Sequence, residues 1–490
     1  MTASNPDRPR RPFDPGASPL SWGWDWLDSA ASAWRWGLSA QDALWTAAAG
    51  ASLIEARGRE RLRAMVDFAR THSRFYARRY RHLPREHWHL SQLPPVTKKE
   101  LMAHFDEWVT DPAITRAGVE RFASQPDRLG EPFLGRYTVW TSSGTTGTPG
   151  LFVQDPDSLI VHESLTATRF GGTHGTGLLW AGLLRGRRLA MLAATGGHFA
   201  GVVSWERSRR RNPWLADRVR TFSIMDPLPE LVAALNAFDP GFVASYPSML
   251  NVLARERERG ALRIRPTALW CGGEWLVPAE RTRIEQAFGC PLIEEYGSSE
   301  CMSIGFGCEH GTLHVNADWV IVEPVDARYR PVAAGTRSET VLITNLANRV
   351  QPFIRYDLGD RVTLLPGRCA CGSPFPSIAV EGRRDDLLEL DGAGGEPVRI
   401  LPLALTTVIE EQARVHRFQI VQTGSRALAV RIEPRAGESF DAAYERVRRC
   451  LQRYFTAQGA TRISIRADRN PLEISPISGK LQQVIQRARR

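Results

Sequence analysis

The sequence predicts an α/β fold: a large multi-subdomain N-terminal α/β domain with a β subdomain, followed by a small α+β C-terminal domain. Three observations carry this. From about residue 130, short apolar runs alternate with longer amphipathic stretches, as in a chain that weaves strands and helices. Two of those runs, Leu189-Ala190-Met191-Leu192 and Ala268-Leu269-Trp270-Cys271, read as strands, and the second ends in the turn Gly272-Gly273-Glu274. Farther along, residues 339–345 and 361–365 have strand character and mark the β subdomain.

Taken in order, residues 1–20 are rich in proline and arginine and are expected to form a disordered leader. Residues 21–45 hold Trp22, Trp24, Trp26, Trp34, Trp36 and Trp45, six of the fifteen tryptophans. An amphipathic helix packed on the body or on a dimer partner accounts for them, with peripheral membrane-interface contact as the rival. Residues 56–82 have helical spacing, with Leu62, Met65, Val66, Ala69 and Phe75 on one face. The chain after Arg384 is shorter, mixed and arginine-rich. The boundary is placed at 382–386, so that 21–381 form the N-terminal domain and 382–490 the C-terminal one.

A chain of 490 residues with 43% hydrophobic and 24% charged content can bury more than one core. The net charge is +10, but the basic residues are scattered, so nucleic acid is not expected as a partner. A basic surface suits small anions or an acidic carrier protein equally well. No secretory signal is visible at the start, and the weakly polar run Ala43 to Ile54 is shorter than the ~20 residues a bilayer span needs. Seven cysteines, an odd number in a long chain, point to a reducing cytoplasm rather than a disulfide framework.

The stretch Thr141-Ser142-Ser143-Gly144-Thr145-Thr146-Gly147-Thr148-Pro149-Gly150 is small, polar and glycine-rich. Such a loop can aim backbone N–H groups and hydroxyls at a phosphate; it can also be a plain polar turn. Four segments follow it: Glu294-Glu295-Tyr296-Gly297-Ser298-Ser299-Glu300, Ile354-Arg355-Tyr356-Asp357-Leu358-Gly359-Asp360, Gly382-Arg383-Arg384-Asp385-Asp386 and Pro476-Ile477-Ser478-Gly479-Lys480. In this order they resemble the adenylate-forming superfamily of acyl-CoA synthetases, luciferases and adenylation domains. Leu93-Pro94-Pro95-Val96-Thr97-Lys98-Lys99-Glu100, with the helical text from Leu62 to Tyr76, is similar to the phenylacetate–CoA ligase branch. The resemblance covers about residues 60 to 490.

The resemblance implies a two-step reaction. A carboxylic acid attacks the α-phosphate of ATP to give an acyl-adenylate and pyrophosphate; a thiol of coenzyme A, or of the phosphopantetheine of an acyl carrier protein, then takes the acyl group and AMP leaves. Ser142, Ser143, Gly144, Thr145, Thr146 and Gly147 would cradle the β- and γ-phosphates. Thr148 stands where the branch usually has lysine. Glu300 would hold Mg²⁺, Tyr296 would cover the adenine with Gly297 and Ser298 beside it, and Gly273 and Glu274 would line its edge. Asp360 and Arg383 would bind ribose or phosphate. Lys480 would assist adenylation, and Asp385 would be the hinge about which a mobile C-terminal domain turns between the two half-reactions. Tyr246 and Pro247 match a segment near the carboxylate substrate. His198, in a glycine-flanked loop, is a further acyl-pocket candidate, as plausible as an ordinary structural histidine.

Cys308, His314, Cys369 and Cys371 make a candidate structural Zn²⁺ site, since cysteine and histidine are the preferred ligands and four of them close a tetrahedron. His310 and Cys301 are alternative ligands, and buried unlinked cysteines are the plain alternative. The substrate expected is an aryl or similar small carboxylic acid. Two rival functions stand beside this one: an adenylating ligase with an amine or alcohol acceptor, and a non-catalytic zinc-bearing interaction protein.

Overall fold

The computed structural model describes residues 19–142, 150–170, 188–212, 216–381, 387–393, 396–435, 437–473 and 481–486, with side chains from residue 31 onward. The chain opens with three helices, α1 (Pro19–Ala49), α2 (Ala51–His72) and α3 (Arg74–Arg79). Helix α1 begins two residues inside the expected leader, at a proline, whose fixed φ suits a first helical turn. The single helix expected over 56–82 is two. The break falls at Ser73, where the backbone is extended and the hydroxyl accepts a bond from Tyr76 N at 3.4 Å, capping the second helix. The predicted apolar face of Leu62, Met65, Val66, Ala69 and Phe75 is buried as expected.

Strands β1 (Thr138–Ser142) and β2 (Gly150–Gln154) form an antiparallel hairpin. Its last pair, Ser142 with Gly150, closes the ends of the hydroxyl-rich loop. Among the described residues the main sheet has nine strands. Its parallel half comprises β3 (Leu189–Ala193), β4 (Val219–Ser223), β5 (Phe242–Ser245), β6 (Ala268–Gly272) and β7 (Leu292–Tyr296) in the order β4-β3-β5-β6-β7. The antiparallel half continues with β8 (Gly305–Gly307) and β9 (Leu313–Val315). A three-stranded sheet of β10 (Val320–Val325), β11 (Thr340–Asn345) and β12 (Tyr356–Asp357) lies beside it. The hairpin β13 (Arg361–Leu364) and β14 (Ser377–Glu381) completes the main sheet through β9.

Helices Pro247–Glu258 and Pro278–Phe288 cross between parallel strands. Each starts with proline, and the second stops at Gly289 with φ +65°, the left-handed turn that glycine adopts without strain. After the expected boundary at 382–386, which lies outside the described residues, come β15 (Leu388–Asp391) and β16 (Pro397–Ile400). A separate four-stranded sheet follows, β17 (Phe418–Gly424), β18 (Ala427–Ile432), β19 (Ser464–Ala467) and β20 (Val484–Gln486), in the order β19-β18-β17-β20. Helix Phe440–Ala457 buries Ala443, Val447, Leu451 and Phe455 against it.

Two large cores result. One runs from the helices behind β3, β5 and β6 into the C-terminal sheet, joining Leu235, Val243 and Leu250 to Leu405, Phe418 and Leu451. The other packs the N-terminal helices on β1, β2, β11 and β12, with Tyr76, Tyr80, Trp108 and Trp140 fully enclosed. Among the described residues no helix is long and apolar enough to cross a membrane.

Candidate active site

In open α/β sheets, ligands bind in the crevice beyond the carboxyl ends of the parallel strands. Here β6 ends at Gly272 and β7 at Tyr296. Gly273 has φ +81°, and a Cβ there would stand 3.3 Å from the ring of Tyr246, so a bare backbone is what lets this turn approach the tyrosine. Tyr246 precedes helix Pro247–Glu258, and Pro247 is its first residue. Glu274 accepts a bond from Ser248 N at 3.0 Å, placing a carboxylate at the positive end of that helix. These four residues therefore form one wall.

A second group is the turn after β7, the strand next to β6. Gly297 is hemmed in by Met302 O, which a Cβ would approach to 2.0 Å. Ser298 and Cys301 exchange backbone bonds at 2.9 and 3.2 Å, turning the chain back. Three strands hold that turn. Trp140 of β1 donates to Ser299 O at 2.8 Å, Asn345 of β11 donates to Glu300 O at 3.0 Å, and Tyr356 of β12 donates to Glu300 Oε1 at 2.6 Å. Glu300 is thus a buried carboxylate, 7% exposed, with one oxygen oriented by a phenol. Tyr296 donates to Asp360 Oδ2 at 3.0 Å, so the expected adenine-facing ring and the expected ribose-binding carboxylate meet directly. Burial holds the Tyr296 and Tyr356 hydroxyls far above the ordinary phenol range, and the carboxylates beside them add to it, so both are donors at any working pH.

Sequence reasoning missed three members of this site: Lys98, Asn345 and Tyr356. Lys98 lies in the first turn of helix Lys98–Ala103 and donates from Nζ to Ser142 Oγ at 3.0 Å. It reaches the mouth of the loop in which Thr148 leaves no lysine. Its position depends on Val96, which exchanges backbone bonds with Arg355 and Asp357 at 3.0 and 2.9 Å. His198 contributes its carbonyl, which accepts from Thr141 N at 2.7 Å, while its ring is buried beside Phe122. Glu295 is half-buried on β7, in register with the bare Gly272. Ser143, Gly144, Thr145, Thr146, Gly147, Arg383, Asp385 and Lys480 lie outside the described residues.

The four candidate zinc ligands do converge. Cys308 follows β8, His314 is on β9, and Cys369 and Cys371 lie in the β13–β14 connection. Their ligand atoms all fall within 4.8 Å of one another. Cys308 Sγ is 3.8 Å from Cys369 Sγ, and Cys371 Sγ is 3.3 Å from His314 Nε2. A tetrahedral zinc with ordinary bond lengths spaces its ligands by about 3.3–3.8 Å. His314 Nδ1 donates to Phe375 O at 3.1 Å, which turns Nε2 toward the thiols. Among the described residues, Cys301 and His310, the alternatives, are not part of the group.

No protein-family model matches the chain. It is 28% identical over 217 residues to the phenylacetate-coenzyme A ligase of Pseudomonas putida, covering 42% of this chain and 48% of that one. It is 30% identical over 177 residues to the enzyme of the same description from Escherichia coli (strain K12), covering 33% and 39%. It matches Protein CapK of Staphylococcus aureus at 27% over 135 residues, or 27% and 28%. The chain therefore spans about half the length, or less, of these curated relatives. Among solved structures, 2-hydroxyisobutyryl-CoA ligase with 2-HIB-AMP and CoA aligns over 88% of this chain and 89% of its own, with 20% identity and a TM-score of 0.54. That likeness carries the α/β architecture. In sequence the chain is thus similar to phenylacetate–CoA ligases over part of their length, and its ordered segments, with Tyr296, Glu300 and Asp360 brought together, resemble the adenylate-forming superfamily.

Proposed function

We propose that this protein is an ATP-dependent acid–thiol ligase that adenylates a small carboxylic acid, aryl or similar, and passes the acyl group to coenzyme A or to a carrier-protein phosphopantetheine. The observation that carries this reading is a linked set: Glu300 and Asp360 both lie near Tyr296 and Tyr356, and Val96, two residues before the Lys98 that bonds the hydroxyl-rich loop's end, pairs with Tyr356. The reaction brings a carboxylate anion to an already anionic triphosphate, so fixed donors and cations aimed at the phosphates are what lower its barrier.

In this reading Lys98 supplies the charge that the loop lacks at Thr148, and Ser142 presents a hydroxyl beside it. Asp360 accepts from ribose hydroxyls while Tyr296 fixes its orientation. Glu300 has one oxygen set by Tyr356 and a backbone set by Asn345, which suits a carboxylate that holds Mg²⁺ together with phosphate oxygens and water. When bound, Mg²⁺ would neutralise charge on the phosphates. The ring of Tyr246, beside the bare backbone of Gly273, is the surface offered to a flat acid. Lys480, carried on the C-terminal domain from 382 onward, would complete the adenylation site, and Asp385 would be the hinge. The Cys308–His314–Cys369–Cys371 group fits a structural Zn²⁺ that ties the β13–β14 hairpin to β8 and β9.

ATP–pyrophosphate exchange across a panel of aryl and short aliphatic acids tests the reading. Exchange with one acid, lost in Lys480→Ala, is the expected result. No exchange with any acid would count against adenylation, and exchange unaffected by Lys480→Ala would remove that lysine from the first step. Zinc is tested separately: elemental analysis should find about one zinc per chain, and Cys369→Ser should lose it.

A further inference from the structure

Helix α1 is turned inside out for a helix lying on a protein surface. Its inner face is mostly small: Ala40, Ala43 and Thr46 are buried, with the half-buried Trp36 at the same register, where α1 packs on helix Pro156–Arg169. The contact is specific. Arg169 donates to Ala43 O at 3.2 Å, and Arg35 pairs with Asp157 at 3.0 Å. Four bulky apolar side chains point the other way: Trp34 is 69% exposed, Leu38 48%, Leu44 56% and Trp45 67%. These four are all but one of the exposed large hydrophobic residues among the described residues. An apolar patch of this kind on one face marks an interaction surface.

Its pattern says what fits it. Trp34, Leu38 and Trp45 lie on a line continued by Ala31 and Gln41, and toward the start of the helix the sequence places Leu27, Trp24 and Leu20 at the same register. The steps from 20 to 45 alternate between four and three residues throughout. That is a heptad seam, a narrow stripe whose side chains insert as knobs between those of another helix with the same spacing. A helix meant for a lipid surface is built differently, with a broad apolar face and lysine or arginine on the polar one. Helix α1 has Asp25, Asp28 and Asp42 against Arg35 alone, so it is acidic in a chain of net charge +10. It thus lacks the basic polar face of a lipid-binding helix.

We propose that the outer stripe of α1 is the seam of a homodimer, in which α1 of one copy packs along α1 of a second. A two-fold partner brings a seam of matching spacing by construction. The helix has 31 residues, about 46 Å at 1.5 Å each, long enough for several heptads. Burying the four exposed side chains from both copies removes on the order of 1,000 Å² from water, about the threshold for a specific interface.

The test is sedimentation velocity on the full chain over a concentration series, for the wild type, for Trp34→Glu/Leu38→Glu and for Trp45→Glu. The expected result is a wild-type dimer whose dissociation constant rises about 30-fold or more in each variant, with helical circular dichroism and pyrophosphate exchange unchanged. A wild type that is monomeric throughout the series overturns the proposal. So does a dimer that survives both variants, which would place the interface elsewhere. Phosphatidylserine-containing vesicles that pull down the wild type but not the variants would assign the face to lipid instead.

Discussion

Tyr356 is the residue on which Glu300 depends most directly. Its phenol is the donor to a carboxylate that is almost wholly buried, and a buried acceptor stripped of its partner bears the full cost of its own desolvation. Tyr356→Phe should lower pyrophosphate exchange by about 10- to 100-fold, with little change in ATP affinity. Lys98→Gln should do the reverse, raising the KM for ATP by about 10-fold or more, because the ammonium meets phosphate before chemistry begins. Glu300, Tyr296 and Asp360 were legible in the sequence because each lies in a compact motif. Lys98, Asn345 and Tyr356 were not singled out, since their roles arise only when chain segments far apart are paired. Glu295 shows a different effect. Burial pushes its carboxyl up to about 8, against the pull of the Trp270 indole. An unfolded glutamate titrates near about 4.3, so between those values the folded state holds a proton that the unfolded state has lost. Stability from this group is present at low pH and falls as pH climbs through that window. Glu295→Gln should flatten the fall, seen as urea midpoints for the two proteins that draw apart between about pH 5 and about pH 8.

At the scale of elements, a buried guanidinium helps hold α1 beside the ion pairs of Asp42 and Arg35. Arg169 pairs with both carboxylate oxygens of Asp318 at 2.7 Å, takes Asn316 Oδ1 at 2.9 Å, and stacks over Phe375 at 4.4 Å. Its remaining reach is to Ala43 O on α1. Arg61 from α2 also meets Asp318, at 3.5 Å. Asp318→Asn would leave the buried Arg169 guanidinium without its anion, while Arg61 keeps Asp42, and should cost about 3–5 kcal/mol, measured by urea denaturation. Limited proteolysis should then cut near Gly50 first, because α1 is left held by the pairs of Asp42 with Arg57 and Arg61 and of Arg35 with Asp157. The strands and helices of the α/β layers were readable from periodicity, including Leu189–Ala193 and Ala268–Gly272. The break at Ser73 was not, because the apolar spacing runs through it and only the hydroxyl cap distinguishes two helices from one. The amphipathic helix over 21–45 was readable, but which tryptophans turn outward was not: Trp34 and Trp45 are exposed because Ala40, Ala43 and Thr46 are the residues packed inward.

At the scale of the molecule, the N-terminal helices have no core of their own. Tyr76 and Trp108 both donate to Pro352 O, at 3.1 and 2.7 Å, and the cluster that encloses them is completed by Ile343, Phe353 and Tyr356. A fragment ending before β1 should therefore lack a cooperative thermal transition while keeping helical circular dichroism, and should bind a hydrophobic dye that the full chain ignores. The resemblance named this region as family text; nothing in its own periodicity said that its partner strands lie so far downstream. That distance has a consequence for synthesis. Tyr76 and Pro352 are 276 residues apart. At roughly 5–20 residues per second a ribosome needs about 15 to 55 seconds to make the intervening chain, and more to release it from the exit tunnel. Throughout that interval the aromatic face of the first helices is bare. A holding chaperone that covers this face until Pro352 is made would keep the nascent chain from aggregating.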